Sequence, residues 1–218
     1  MVAYAVFSTG SISSYCTIEQ VRALLTGYDL SRIGASQDVD DRIQSLLAVT
    51  VQAVDRIAGH DFRWHADEQL TVDGSGTDRL SLTPLGIVPL ARVYEISISG
   101  RQVPADDYVV YPQIGEIRLK PSASIGTSFP SGLQNIELVV DWGYAQVPAE
   151  VSMAQAKLIA AQILAEATGE AAQTAAVRIG DYAVRYAREG KYGAVIERLA
   201  TEAHEALRSY RNIGMAIV

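Results

Sequence analysis

The stretch that decides the fold is NIELVVDWGYAQVPAEV, residues 135–151. Its apolar side chains Ile136, Leu138 and Val140 alternate with Glu137, Val139 and Asp141, which is the period of a β-strand with one wetter face. Pro148 fits the first turn of a helix, where its missing N–H costs nothing. Many helix-forming residues follow, so this stretch predicts a short link between a β-region before it and an α-region after it.

Length, composition and charge restrict the possible classes of protein. The 218 residues are 49% hydrophobic, which suffices for a sizeable core in one large domain or in a small domain inserted into another. The single cysteine, Cys16, excludes an internal disulfide. A net charge of −7 argues against wrapping nucleic acid, because phosphate binding needs a positive surface. The apolar runs are too short for a membrane span, so we expect no membrane partner.

Two helices are predicted before the β-region. Thr17 and Gln20 fit a capping box at the start of a short helix. A second, longer helix starts near Ser36, and Gly59 is suited to cap its C-terminus. The apolar side chains of this second helix recur at helical spacing, so it should pack on the helix that follows Pro148.

Further helical segments are predicted after the β-region. The helix that follows Pro148 should end near Thr168, and residues 177–187 read as a β-hairpin or a structured loop. A last helix follows, and the apolar residues predicted on one of its faces are Val195, Leu199, Ala203, Ala206 and Tyr210.

The region between Glu68 and Tyr144 has the alternation and turn residues of about six short antiparallel strands. Ser99-Gly100 fits a hairpin turn within it, and Tyr108–Tyr111 and Glu116–Leu119 are predicted to form a further pair of strands. The stretch Pro121–Gly132, rich in Ser, Pro and Gly, is predicted to be a long surface loop. The helical pattern stops before this region and resumes after it. We therefore predict an α+β fold, in which residues 1–67 and 142–218 form a helical domain of three to four helices and residues 68–141 form an inserted antiparallel β-sandwich or barrel module.

No motif for chemistry emerges. His60 and His65 have poor spacing for metal ligands, and no G-x-S-x-G nucleophile motif is present. Asp73, Ser75 and Asp78 fit a turn better than a calcium loop, because the closing glutamate of an EF-hand is missing. The sequence therefore predicts no catalytic, cofactor-binding or metal-binding residues, and no enzyme.

Three groups of residues occur in the order of one known family. They are YCTIEQVRALL at 15–25, WGYAQVPAEV at 142–151, and IGDYAV at 179–184 with LRSYR at 207–211. These resemble the opening helix, the strand-to-helix junction, and the loop and last helix of the head–tail connector or adaptor proteins of long-tailed bacteriophages and gene transfer agents, often called gp6-like. The resemblance covers the helical regions. Short members of that family lack the β-module, which occurs in longer members.

This resemblance implies a structural virion protein in the neck, between capsid and tail, assembled in the host cytoplasm. It implies a homo-oligomeric, dodecameric ring below the portal protein. The ring would extend the DNA channel, so that packaged DNA passes through without specific binding. It would also provide the platform for a stopper or tail-completion protein, with no cofactor required.

The resemblance also indicates two candidate sites. In that family the segment between the last two helices tends to face neighbouring subunits or the channel, and the C-terminal tail reaches the portal. The residues of the inter-subunit or lumen loop are Arg178, Asp181, Tyr182, Arg185 and Arg188. The residues of the portal-binding tail are Ile213, Met215, Ile217 and Val218, of which the first three have the two-residue period needed for strand addition.

Other interpretations of the same sequence stay open. The loop also fits a hairpin packed on its own helices, and the tail also fits a disordered chain end. For the whole chain, the alternatives are a carbohydrate- or protein-binding β-sandwich module and another phage neck or tail-completion protein.

Overall fold

The computed structural model of the chain describes residues 14–168, 174–179, 182–187 and 191–211. These residues form four α-helices and nine β-strands with antiparallel pairing, which confirms the predicted α+β fold. The chain divides into two compact units. We call Phe62–Gln146 the β-unit, and Ser11–Asp61 together with Val147–Asn212 the helical unit.

Seven strands build the β-unit. Two of them, at Tyr108–Tyr111 and Glu116–Leu119, have the bounds that their alternating sequence predicts, and Ser99-Gly100 forms the predicted hairpin turn. The strands are β1 Trp64–Gly74, β2 Arg79–Ser81, β3 Leu90–Ile98, β4 Arg101–Gln102, β5 Tyr108–Tyr111, β6 Glu116–Leu119 and β7 Gly132–Gly143.

The seven strands form two open sheets, with the orders β1-β7-β3-β4 and β2-β6-β5, and they do not close into a barrel. β7 lies at the centre of the first sheet, where Leu138 is opposite Leu70 on one side and Ile96 on the other. The inward side chains of both sheets share one apolar core, as in a sandwich. Its strand residues are Leu70, Val72, Leu80, Leu90, Ile96, Ile117, Leu119, Ile136, Leu138, Val140 and Trp142.

The loop before β7 contributes to this core, contrary to the predicted long surface loop. Phe129 is fully buried among the strand residues, and its N–H donates to the Thr77 carbonyl over 2.7 Å. Burying a phenylalanine side chain contributes about 1.5–3 kcal/mol. The loop is therefore fixed to the sandwich by one aromatic anchor.

Four helices and one hairpin build the helical unit. The helices are α1 Ile18–Leu25, α2 Ser36–Ala58, α3 Ala149–Thr168 and α4 Gly193–Arg211, and the hairpin strands are β8 Thr174–Ile179 and β9 Tyr182–Ala187. The Thr17 and Gln20 capping box is present, and Gly59 caps α2 in the left-handed conformation, as predicted. Pro148 differs from the prediction. It precedes α3, and its carbonyl accepts the N–H groups of Val151 and Ser152.

α3 is the central helix of this unit, because α1, α2 and α4 all pack on it. The predicted contact between α2 and α3 is confirmed. Leu158, Ile159 and Ile163 are fully buried, and the many alanines of α3 allow close approach of its neighbours. On α4 the buried side chains differ in part from those predicted, and they are Ile196, Leu199, Ala200, Ala203 and Leu207.

Candidate functional site

The two sites predicted from the resemblance lie at the limits of the described residues. The tail residues Ile213, Met215, Ile217 and Val218 are outside them, as are Asp181 and Arg188 of the loop. The other loop residues lie in strands, since Arg178 belongs to β8, and Tyr182 and Arg185 belong to β9.

The loop between the last two helices is an antiparallel hairpin. Arg178 is opposite Ala183, and Ala176 is opposite Arg185. The hairpin lies beside α3 and α4.

The described residues form no cluster of three or more His, Cys, Asp or Glu side chains that could hold a metal ion. His65 instead stacks on Trp142, with ring centroids 3.8 Å apart, and its Nδ1 lies 3.3 Å from a Glu68 carboxylate oxygen. In the part of the chain that the structure describes, no helix combines the length and apolar character needed to cross a membrane. The candidate binding sites are the surfaces that each unit presents to other molecules.

A buried glutamine joins the first described residues to the helices. Gln155 of α3 is fully buried, and its Oε1 accepts the backbone N–H groups of Tyr15 and Cys16, each over 2.8 Å. Its Nε2 donates to the Leu47 carbonyl and to the Thr50 hydroxyl of α2, each over 2.9 Å. One side chain thereby holds the start of the described chain and α2 against α3.

Cys16 belongs to this buried region. Burial raises the pKa of its thiol to about 11, although the Ser14 hydroxyl lies close enough to oppose the shift. A thiol with such a pKa is almost entirely protonated near neutral pH and is a poor nucleophile. Cys16 is therefore a packing residue.

Ion pairs connect the helices across the surface of the helical unit. Arg42 of α2 binds both carboxylate oxygens of Glu166 on α3, over 2.8 and 2.6 Å. Burial raises the pKa of Glu166, but the hydrogen bonds from Arg42 and Gln162 exceed this effect and leave the pKa below its usual range. Lys157 of α3 reaches Glu202 of α4 over 2.7 Å. These pairs link α3 to its neighbours α2 and α4.

One outer surface of the sandwich, which we call the acidic face, consists of the outward side chains of β1, β7 and β3. They are Gln69, Thr71, Glu95, Ser97, Glu137 and Val139, and they line a depression of about 310 Å³. Glu95 and Glu137 form no ion pair within the described residues. Ser97 is only 8% exposed as a whole residue, and it lines the depression between the strands.

At one end of the first sheet, Asp141 departs from the predicted alternation. It was predicted at a wetter position but is only 7% exposed. Its carboxylate accepts the Asp67 N–H over 2.8 Å and the Tyr94 hydroxyl over 2.7 Å. Burial raises the pKa of Asp141, but these two hydrogen bonds outweigh burial and hold the pKa below its usual range. The carboxylate therefore pins β1 and β3 to β7.

The opposite outer surface, which we call the arginine face, consists of the outward side chains of β2, β6 and β5. They are Arg79, Ser81, Val109, Tyr111, Glu116 and Arg118. Arg118 pairs with Glu116 and lies over the Tyr111 ring, 4.6 Å from its centroid. The Arg79 guanidinium is 3.9 Å from Asp78, too far for a hydrogen bond. Val109 and Tyr111 are 41% and 39% exposed, so this face also carries exposed apolar surface.

Neither outer face was among the candidate sites predicted from the sequence. The alternation that identified the strands also separates inward from outward residues, so the signal for each face was present. Assigning the outward residues to two opposite surfaces needs the strand order β1-β7-β3-β4 and β2-β6-β5, which is not a local property of the sequence.

The comparisons with known proteins show a shared fold. No family model matches the chain, and no curated protein matches it. The structure is similar to a solved chain from the neck of an empty GTA (gene transfer agent) particle computed with C6 symmetry. The two chains are 18% identical, the similarity covers 91% of this chain and 95% of that chain, and the TM-score is 0.51. A chain from the neck of a native GTA particle computed with C12 symmetry is 17% identical, with 91% and 94% covered and a TM-score of 0.46.

Proposed function

We propose that this chain is a structural virion protein of a phage-like particle, and that it forms a homo-oligomeric ring in the neck between capsid and tail. The observation that carries the proposal is the similarity in fold to a neck chain of an empty GTA particle, which extends over 91% of this chain and 95% of that one. The residue patterns at 15–25, 142–151, 179–184 and 207–211 support the same conclusion independently, because they were identified without the structure.

The extent of that similarity favours a neck protein over an isolated binding module. A carbohydrate- or protein-binding β-sandwich would share only the β-unit with its relatives, and the β-unit is well under half of the chain. A coverage of 91% instead requires that helical residues take part as well. Within the neck, we assign the chain to the adaptor position because of the gp6-like sequence patterns, and a stopper or tail-completion protein is the competing assignment.

A ring suits the surfaces of the chain. The neck of the similar chain was computed with C6 symmetry, and a dodecameric ring is compatible with a six-fold axis. Subunits of a ring meet head to tail, so each needs two different complementary surfaces. The β-unit has two such surfaces, and the hairpin β8–β9, whose strands contain Arg178 and Arg185, is a further candidate for a contact between subunits.

The charge of the chain suits a channel that DNA must leave freely. Each copy has a net charge of −7, so a ring of copies would repel the phosphate backbone of DNA. Proteins hold DNA mainly through cationic side chains that displace counterions from the phosphates, and an acidic ring would not do this. Packaged DNA would thus pass through the ring without specific binding. No catalytic step is part of this function.

The portal protein and a stopper or tail-completion protein are the proposed partners. The tail residues Ile213, Met215, Ile217 and Val218 would add a strand to an exposed edge of the portal, because strand addition pairs the backbone and inserts alternate side chains. The ring would join the portal after DNA packaging in the host cytoplasm and become part of the virion neck.

The test is disruption of the gene for this chain in cells that produce the particles. If the proposal is correct, the cells accumulate heads that carry a portal but no attached tail, and purified normal particles contain this chain in the neck. Tailed particles of normal infectivity or transfer activity from the disrupted strain would contradict the proposal. Complementation with the intact gene controls for effects on neighbouring genes.

A further inference from the structure

The two outer faces of the β-unit are the basis of an inference that rests on the proposed ring. We propose that the acidic face of one copy docks on the arginine face of the next copy, so that the β-units form a continuous head-to-tail contact around the ring.

The first observation is that the two carboxylates of the acidic face have no cationic partner. Glu95 and Glu137 lie on neighbouring strands without a cation, although like charges on adjacent strands repel each other. In the register, Glu137 is opposite Ser97 and Glu95 is opposite Val139, so the two carboxylates are diagonal neighbours on this face. A guanidinium supplies the opposite charge and the donors that these two carboxylates lack.

The second observation is the complementary chemistry of the arginine face. The Arg79 guanidinium is about half exposed beside Arg118, and its only ion pair within the described residues is a long one to Asp78, over 3.9 Å. Val109 and Tyr111 add exposed apolar surface on the same side. On the acidic face, the matching apolar contact is Val139, which lies between Gln69 and Glu95 in the register.

The third observation is geometric. In a two-layer sandwich the outer faces of the two sheets point in opposite directions. When a face on one side of a subunit binds a different face on the opposite side of the next subunit, the same contact repeats from copy to copy. The chain of copies closes into a ring if the rotation between successive subunits adds up to a full turn. Each face is three strands wide, which is small for an interface that holds two proteins together alone. The contact between β-units would therefore add to contacts made elsewhere in the ring.

Charge variants of the full-length chain test this contact. Sedimentation velocity and native mass spectrometry at rising protein concentration would measure the concentration at which half of the protein is assembled. We expect E95K/E137K and R79E each to raise that concentration at least tenfold, because like charges would then face each other. The triple variant E95K/E137K/R79E should recover much of the loss. The control D106K reverses an exposed carboxylate outside both faces and should assemble like the wild type.

Cysteine cross-linking provides a second measurement that does not depend on assembly strength. Under mild oxidation, V139C/Y111C should give a ladder of covalent multimers, because these two positions are the matched apolar contacts, whereas each single variant and the pair D106C/Y111C should not. The native Cys16 is buried and should stay unreacted.

The outcomes separate this inference from the proposed function. If E95K/E137K assembles at the same concentration as the wild type, or if the triple variant assembles no better than E95K/E137K, the two faces do not dock on each other. Either result leaves the proposed ring standing. The absence of a ladder from V139C/Y111C overturns the docking of the two faces as well. A wild-type chain that forms neither a ring nor cross-links contradicts both proposals.

Discussion

Replacement of Gln155 by leucine tests whether the buried glutamine holds the helical unit together. Leucine fills a similar volume but offers no donor or acceptor, so the Tyr15 and Cys16 amides lose their Oε1 partner and Leu47 and Thr50 lose the Nε2 donor. A buried polar group that loses its partner costs about 1–3 kcal/mol.

The expected loss of stability is less than the sum over all five hydrogen bonds of Gln155, the fifth of which comes from the Ser14 hydroxyl to Oε1 over 3.0 Å. The Cys16 N–H keeps the Ser14 hydroxyl over 3.1 Å, and the Thr50 hydroxyl keeps the Leu46 carbonyl over 2.8 Å. We therefore expect the free energy of unfolding to fall by about 2–4 kcal/mol. With a urea dependence of about 1–3 kcal/mol per molar, the midpoint should fall by roughly 1 M or more.

The assay can follow the two units separately. The chain has two tryptophans, Trp64 and Trp142, and both belong to the β-unit, so tryptophan fluorescence reports that unit while far-ultraviolet circular dichroism reports the helices. Q155L should lower the urea midpoint of the helical signal and leave the fluorescence midpoint nearly unchanged.

The control for Q155L is Q162L on the same helix. Gln162 is partly exposed and makes one hydrogen bond, to Glu166, which retains Arg42 as a partner. The loss of this hydrogen bond in Q162L should lower the free energy of unfolding by under about 1 kcal/mol. If Q155L is as stable as Q162L, the glutamine does not hold the unit together. If Q155L moves both signals equally, the units do not unfold independently, and the predicted inserted module is wrong.

Three further predictions concern the acidic end of the sheet, the hairpin and the tail. Y94F removes a hydrogen bond that lowers the pKa of Asp141. A carboxyl group whose pKa is lower in the folded than in the unfolded protein stabilises the fold above its unfolded pKa, and this stabilisation is lost as the pH falls through the folded pKa. In calorimetry, Y94F should therefore melt at a lower temperature than the wild type near neutral pH and at nearly the same temperature in acid. R178E/R185E should weaken ring assembly in sedimentation while the circular dichroism of the subunit stays unchanged; normal rings would refute the loop's role. Deletion of residues 213–218 should abolish portal binding in pull-down assays and change the free energy of unfolding by under about 0.5 kcal/mol; full binding would refute the tail's role.

The parts of the fold that follow from short-range patterns were predicted well. The strands Tyr108–Tyr111 and Glu116–Leu119 need only local alternation, and the capping box at Thr17 and the glycine cap at Gly59 need only residues within one turn of the helix. Such features are determined by neighbours in sequence, so a single sequence suffices to locate them.

The features that depend on distant residues were missed. Asp141 lies in a strand whose alternation predicts exposure, but a bulge near Tyr94 brings a hydroxyl from another strand to its carboxylate. Phe129 lies in a stretch rich in Ser, Pro and Gly, and only the assembled sandwich provides the core that buries it. The sequence does not distinguish Gln155 from other glutamines in helices, because its partner Tyr15 is distant in the chain and reaches α3 only in the folded structure.

The candidate sites show the same limit. The family patterns located the hairpin and the tail by analogy. The acidic and arginine faces required the order of the strands, because Glu95 and Glu137 are 42 positions apart in the chain and become neighbours only through the pairing of β3 with β7. Local periodicity assigns a residue to one side of a strand and leaves open which other strands contribute to that side.

Cryo-electron microscopy of the neck in intact particles tests the central claim most directly. The account predicts a closed ring of copies of this chain below the portal, with six-fold or twelve-fold symmetry and a central channel for DNA. A neck reconstruction in which no ring has this fold, or one that places this chain outside the neck, would contradict the account.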